Sequence, residues 1–301
     1  MQKRNKKTEQ KRNNFMQYTV KEPIELLPFL FEVLTDRSRN AVKSILTRGQ
    51  VSINDQVITK HDHPLKPGQT VVIMKNKVAK ARNFTGLSIL HEDADVVVID
   101  KEAGLLSISS PKEKAVTAYR QLSDYVRQTD PKNRVFIVHR LDRDTSGVMM
   151  FAKNEYAKQK LQNAWKEMVK ERTYAALVEG KVQKREGTIS SWLKETSTFK
   201  MYSSPKANDG QHAVTHYKVI QSNQDCSLLE VQLETGRKNQ IRVHMQDIGH
   251  PIIGDKKYGS TRNDINRLGL HAQVIAFHHP TSGKLLRFSS DLPKTFLNKS
   301  K

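Results

Sequence analysis

The 301-residue sequence carries 51 Lys and Arg against 31 Asp and Glu, a formal net charge of +20 and a pI of about 9.9. Self-repulsion on that scale points to an acidic polymer as the usual partner, and to nucleic acid before membrane, because no apolar run approaches bilayer length. With 37% hydrophobic residues the chain can bury a core, and its single cysteine, Cys226, excludes an internal disulfide framework and suits a reducing cytoplasm. Residues 1–17 are rich in Lys, Arg, Asn and Gln, which predicts a disordered basic tail adding nonspecific phosphate affinity or simply solubility. No apolar core follows these first residues, so no secretory leader is expected.

From 18 to 80 the pattern predicts a compact unit. Pro28 suits the first turn of a helix running toward Leu34, and Ser38 can cap a second helix. Ala41, Val42, Ile45 and Leu46 share one face of that helix, while Arg39 and Lys43, four apart, project from the other side. Gly49 ends it; Val51–Ile53 alternates into a turn at Asn54 and Asp55, and Pro67-Gly68 turns the chain again before Val71–Met74. Two short helices followed by a small hairpin, in the residues SRNAVKSILTRGQVSINDQVITK and LKPGQTVVI, resemble the alpha-L RNA-binding domain. That domain occurs in a ribosomal small-subunit protein and in several RNA-modifying enzymes. Through Lys80 the chain holds 16 Lys and Arg against 7 Asp and Glu, and the resemblance implies RNA contact through Arg39 and Lys43.

A basic linker, Lys75–Arg82, leads into a larger domain expected over 84–301. Ile89–Asp93 and the apolar run Val96–Ile99 predict its first strands. Val135–Val138 and Val148–Phe151 predict two more, set around the polar loop His139–Gly147; a loop so held by a rigid scaffold can carry catalytic groups. Asn154 can cap a helix with Ala157, Leu161, Ala164, Trp165 and Met168 on one side, a spacing that reads as core packing. Glu171–Gly180 predicts a strand, Ser203–Gln211 a polar loop, and His212–Val219 and Leu228–Leu233 two further strands. After Thr235-Gly236, Ile241, His244, Met245 and Ile248 have helical spacing, which leaves Arg242 one step off the buried stripe. The histidines lack paired-ligand spacing, so no metal is expected.

The loop HRLDRDTSG (139–147) resembles the HRLD-x-x-TSG signature of the RluA-type family of RNA pseudouridine synthases. TGRKNQIRVH (235–244) resembles the family's second signature, TGR-x-HQIR-x-H, with Asn239 where the family usually has His. ILHEDADVVVIDKEAGLLS, GHPIIGDKKYG and LGLHAQVIAFHHPTSG extend the likeness to about residues 20–295, with Glu102 where a Pro is common. The resemblance implies an α+β fold: a mixed, largely antiparallel central sheet with flanking helices, and a cleft between Asp142 and Arg242.

It further implies isomerisation of uridine to pseudouridine in RNA, ribosomal RNA by family precedent. Asp142 would be the nucleophile. A carboxylate buried in a dry pocket tends to protonate, and the permanent charge of Arg242 opposite it would prevent that. Tyr174 would stack on the base and relay the carbon 5 proton, and Ile241 would form an apolar wall. Arg140 would fill the gap left by the flipped uridine, and His139 would orient the loop within the same substrate-binding group. Atoms and oxidation state are conserved, so no cofactor is expected. Asn239 reads as structural, at the start of the helix that carries Arg242. The expectation is a cytoplasmic monomer acting on RNA without a protein partner. The alternative is a noncatalytic RNA-binding or ribosome-assembly factor on a synthase scaffold, which leaves Asp142, Tyr174 and Arg242 without purpose.

Overall fold

Phe15–Thr19 (β1) pairs antiparallel with Thr70–Met74, so Phe15, Met16 and Gln17, expected to end a basic tail, belong instead to a sheet. Their backbone groups find a ladder, and Met16 and Tyr18 lean on the core of the first unit, which outweighs the polar character of the stretch before them. The computed structural model describes residues 15–47, 49–54, 56–74, 84–109, 116–204 and 206–301; the expected linker at 75–82 and tail residues 1–14 lie outside them. The chain divides into two units between Asn83 and Phe84.

The first unit continues with β2 (Ile24–Glu25), α1 (Leu26–Val33), α2 (Arg39–Thr47), β3 (Val51–Ile53), β4 (Gln56–Val57), β5 (Pro64–Leu65) and β6 (Thr70–Met74). Its sheet order is β1-β6-β3-β4, with β2 and β5 paired apart. The Ser38 hydroxyl accepts from the Ala41 amide at 3.3 Å, capping α2, and Val42, Ile45 and Leu46 are buried. Ala41, expected on that stripe, is exposed, because one residue turns the helix by about 100° and carries it past the edge of the core.

The second unit is α+β, with few helices around one large, mostly antiparallel sheet. It begins with β7 (Leu87–Glu92), β8 (Val96–Lys101), α3 (Ala118–Arg127), β9 (Phe136–Ile137) and β10 (Ser146–Ala152). Then come α4 (Glu155–Asn163), α5 (Trp165–Met168), β11 (Val169–Glu179), β12 (Glu186–Glu195), β13 (Met201–Ser204), β14 (Gln211–Ser222) and β15 (Cys226–Leu233). The remainder is α6 (Gln240–Asp247), a 3-10 turn at Lys256–Tyr258, β16 (Leu270–His278), β17 (Leu285–Ser289) and α7 (Lys294–Lys299). The main path of the sheet runs β13-β12-β14-β15-β11-β16-β10-β8-β7.

A continuous apolar run such as Val96–Ile99 needs cover on both faces. Val97 and Ile99 pack with Leu122 and Val126 of α3 on one side, and Val96 and Val98 with Ala157 and Leu161 of α4 on the other. The helix expected through Met168 breaks at Ala164 (φ −114°, ψ 32°), and α5 delivers the chain straight into β11. Ser203, Ser204 and Gln211, expected in a loop, are in strands: Ser203 and Ser204 pair with Leu193 and Trp192, a ladder supported by partners that polarity alone does not reveal. Among the described residues no helix is long and apolar enough to cross a membrane.

Gly147 is the tightest point of the sheet. β10 runs parallel to β16 only at Ser146 and Gly147, opposite His271 and Ala272. Gly147 has φ +108°, and a Cβ there would overlap the Ala272 carbonyl. Gly147→Ala should therefore cost at least about 3 kcal/mol and lower Tm by about 6–12 °C, with turnover falling alongside. Thermal melting checks this, and a variant melting within about 2 °C of wild type would contradict it.

Candidate active site

Three neighbouring strands, β11, β16 and β10, set the spacing of the site. Ala272 of β16 lies opposite Gly147 on one side and Tyr174 of β11 on the other. The loop that enters β10 and the Tyr174 side chain are thereby held two strand spacings apart, roughly 10 Å. A register shift between Thr173 and Tyr174, a local bulge, re-aims Tyr174 at this point.

The loop before β10 is fixed from beneath. Lys101, fully buried at the end of β8, donates from Nζ to the carbonyls of Glu102 (2.9 Å), Leu105 (2.7 Å) and Arg143 (3.0 Å). Burial pushes its ammonium down to about 8, with Asp144 opposing. Ser107 Oγ donates to the Leu141 carbonyl at 2.7 Å. His139 Nε2 accepts from the Met150 amide at 3.0 Å, and burial, aided by Arg172, pushes the imidazole down to about 3, so it stays neutral. Its ring is held by β10 and does not line the cleft described next.

Asp142 opens onto a cleft of about 450 Å³ whose walls include Arg140, Tyr174, Asn239, Ile241 and Arg242. Ile241 is buried and Arg140 exposed. Arg242 projects from the first turn of α6, and its Nη1 lies 3.3 Å from Asp142 Oδ2. Its firmer partner is Asp255: Nε donates to Oδ2 at 2.7 Å and Nη2 to Oδ1 at 2.8 Å, a two-pronged pairing. Asp255 is 1% exposed at its side chain, against 30% for Asp142. Burial alone would lower the Arg242 pKa, but the hydrogen bonds and charge of Asp255, with Asp142 behind them, raise it above its ordinary value. The guanidinium also lies over the ring of Tyr258, 4.9 Å from its centroid. Burial pushes the Tyr174 phenol up, and Asp142 adds to the shift, so the hydroxyl keeps its proton at neutral pH.

Asp255, Tyr258 and Lys101 were not among the residues singled out from the sequence. A signal existed for each: Asp255 and Tyr258 sit within GHPIIGDKKYG, and Lys101 lies two residues beyond the apolar run Val96–Ile99. Arg39 and Lys43 are exposed on α2 of the first unit, with the Arg39 guanidinium 5.4 Å from the Phe31 ring centroid.

Asn239 precedes α6, yet its side chain does not cap the helix. It adopts a left-handed conformation (φ 54°), and its Nδ2 donates to Tyr258 Oη at 3.0 Å. Gln240 folds back instead, its Oε1 accepting from the Arg237 amide (3.0 Å) and the Thr235 hydroxyl (2.7 Å). Asn and His both tolerate left-handed backbone better than most residues, whereas Leu does not. Asn239→His should accordingly keep turnover within a few-fold and leave its pH profile unchanged. Asn239→Leu should lose about 1–3 kcal/mol of stability. Single-turnover rates across pH check the first: a new ionisation near pH 6–7 with a large rate gain would assign the position to proton transfer.

The model of a family described as RNA pseudouridylate synthase matches residues 95–247. The chain belongs to that family. A Bacillus subtilis relative, the uncharacterized RNA pseudouridine synthase YlyB, is 36% identical over 88% of this chain and 89% of its own length. A Vibrio cholerae relative named ribosomal large subunit pseudouridine synthase D is 32% identical over 87% of this chain and 86% of its own. The solved human RNA pseudouridylate synthase domain containing 1 superposes with a TM-score of 0.56 at 26% identity, covering 69% of this chain and 84% of that one. This synthase is therefore an enzyme of RNA modification, acting on uridine in an RNA substrate.

Proposed function

We propose that this synthase isomerises specific uridines of ribosomal RNA, with Asp142 as nucleophile. The carrying observation is the single cleft that gathers Asp142, the cation of Arg242 and the un-ionised phenol of Tyr174. Breaking the bond from ribose to nitrogen 1 and rejoining the base through carbon 5 needs a nucleophile, a proton carrier and a dry wall. Asp142 supplies a carboxylate able to form and release an ester-like adduct, and Arg242 holds a cation against it, Nη1 lying 3.3 Å from Oδ2. Tyr174 lies against the base and passes the carbon 5 proton, with Ile241 excluding water beside it. Arg140, exposed at the rim, takes the place of the flipped uridine in the RNA stack, so offsetting an unstacking cost of a few kcal/mol. The ribosomal substrate draws support from the name of the Vibrio cholerae relative. Mapping pseudouridine across RNA from cells with and without the gene tests this: loss of a ribosomal site supports it, and loss confined to transfer RNA overturns the substrate class.

The first unit reads as the RNA-gripping domain, an alpha-L domain over 18–80, with Arg39 and Lys43 on the exposed side of α2. Deleting residues 1–83 should weaken RNA binding and flatten the slope of log affinity against log salt, because fewer counterions are released. An unchanged slope would show that this unit does not touch phosphate.

A further inference from the structure

Beside the Asp142 cleft lies a second groove of about 470 Å³, and the two share Arg140, Tyr174, Leu233, Gly236 and Arg237 as common wall. Trp165, half-buried at the start of α5, lines this groove. Its ring packs on His139, centroids 5.1 Å apart, and His139 is in turn fixed to the Met150 amide, so the indole is held on a rigid base. Around it stand four cations, Arg140, Lys166, Arg172 and Arg237, and none has a carboxylate within ion-pair distance among the described residues. Among the described residues that line the groove the acidic one is Glu234, whose carboxylate is hydrogen-bonded to His216 at 2.6 Å.

Two of the cations are preset by backbone carbonyls that leave their charge unneutralised. Arg172 Nη2 donates to the carbonyls of Leu233 and Glu234, each at 3.1 Å, and Arg237 Nε donates to that of His212 at 3.0 Å. Gly236 admits Arg172 to this position, since a Cβ there would stand 2.6 Å from Nη1. An aromatic face among uncompensated cations suits a base stacked over a ring and a phosphate held by charge.

We propose that this groove binds a nucleotide flanking the target uridine in single-stranded RNA, its base on Trp165 and its phosphate between Lys166 and Arg237. The inference rests on the reading of the Asp142 cleft as the uridine site. One nucleoside fills that cleft, and the shared wall carries the strand directly into the groove. Recognition here is by stacking and charge, so the subsite adds affinity for the flanking strand more than base discrimination.

The sequence contains two tryptophans, Trp165 and Trp192, so Trp192→Phe leaves Trp165 as sole reporter. Titrating this variant with a single-stranded uridine heptanucleotide should quench its emission. With RNA tritiated at uracil carbon 5, Trp165→Ala should raise KM by about tenfold with a single-turnover rate at saturation within threefold of wild type, and Trp165→Phe should recover most of the loss. Lys166→Glu, at an exposed position, should raise KM likewise without lowering Tm. No quenching, together with unchanged KM in Trp165→Ala and Lys166→Glu, would overturn the subsite. A wild-type enzyme that releases no tritium from any RNA would instead overturn the uridine-cleft reading, and the quenching titration, which needs no turnover, would still judge the groove.

Discussion

Asp142→Asn is expected to lower turnover by at least about 10⁴-fold while changing RNA affinity by less than about threefold. Asn keeps the shape of the side chain and can still accept from Arg242 Nη1, which lies 3.3 Å from Oδ2. It cannot form and release an ester-like adduct. The loop should hold its course in the variant, because its anchors are backbone groups: the Leu141 carbonyl on Ser107, the Arg143 carbonyl on Lys101, and the Thr145 amide on the Asp142 carbonyl at 3.2 Å. Tritium release from carbon 5 of labelled RNA measures turnover, and equilibrium binding of the same RNA measures affinity. Residual turnover within tenfold of wild type would remove Asp142 from the nucleophile's role. A large fall in affinity would mean instead that the carboxylate serves binding.

The parts of this site that could be read from sequence are those where local pattern and tertiary position coincide. The two strands flanking the 139–147 loop are apolar runs, and the helix carrying Arg242 shows its period in Ile241, His244 and Met245, all buried. What stayed hidden depends on distant partners. Asp255 lies thirteen residues beyond Arg242 in a polar turn, and only the folded chain reveals its near-complete burial under the guanidinium. Lys101 ends a strand whose side chains are covered on both faces, where a cation is costly unless carbonyls converge on it; those of Leu105 and Arg143 come from separate loops. Asn239 has the residue type of a helix cap, but its left-handed backbone and its bond to Tyr258 belong to tertiary structure. The polar strand β13 forms because β12 offers it a ladder, which periodicity within 203–211 does not encode.

The pairing of Arg242 with Asp255 separates two demands that a single Asp142–Arg242 pair would have to meet together. Asp255 holds the guanidinium through Nε and Nη2, leaving Nη1 turned toward Asp142. In this arrangement Asp255 is a positioning residue and Asp142 remains free to react. Arg242→Met removes the partner of a buried carboxylate and should cost roughly 3–5 kcal/mol, with turnover lost. Asp255→Asn should fold, yet lower turnover by about 10–100-fold, because the cation is no longer locked by two charged oxygens. The discriminating variant is the double change Arg242→Met with Asp255→Leu, which replaces a buried ion pair by apolar groups and should regain most of the lost stability. It should stay inactive. Melting temperatures and single-turnover rates of the three variants check this together, and a double variant that regained activity along with stability would show Arg242 to be structural and leave Asp142 to work without it.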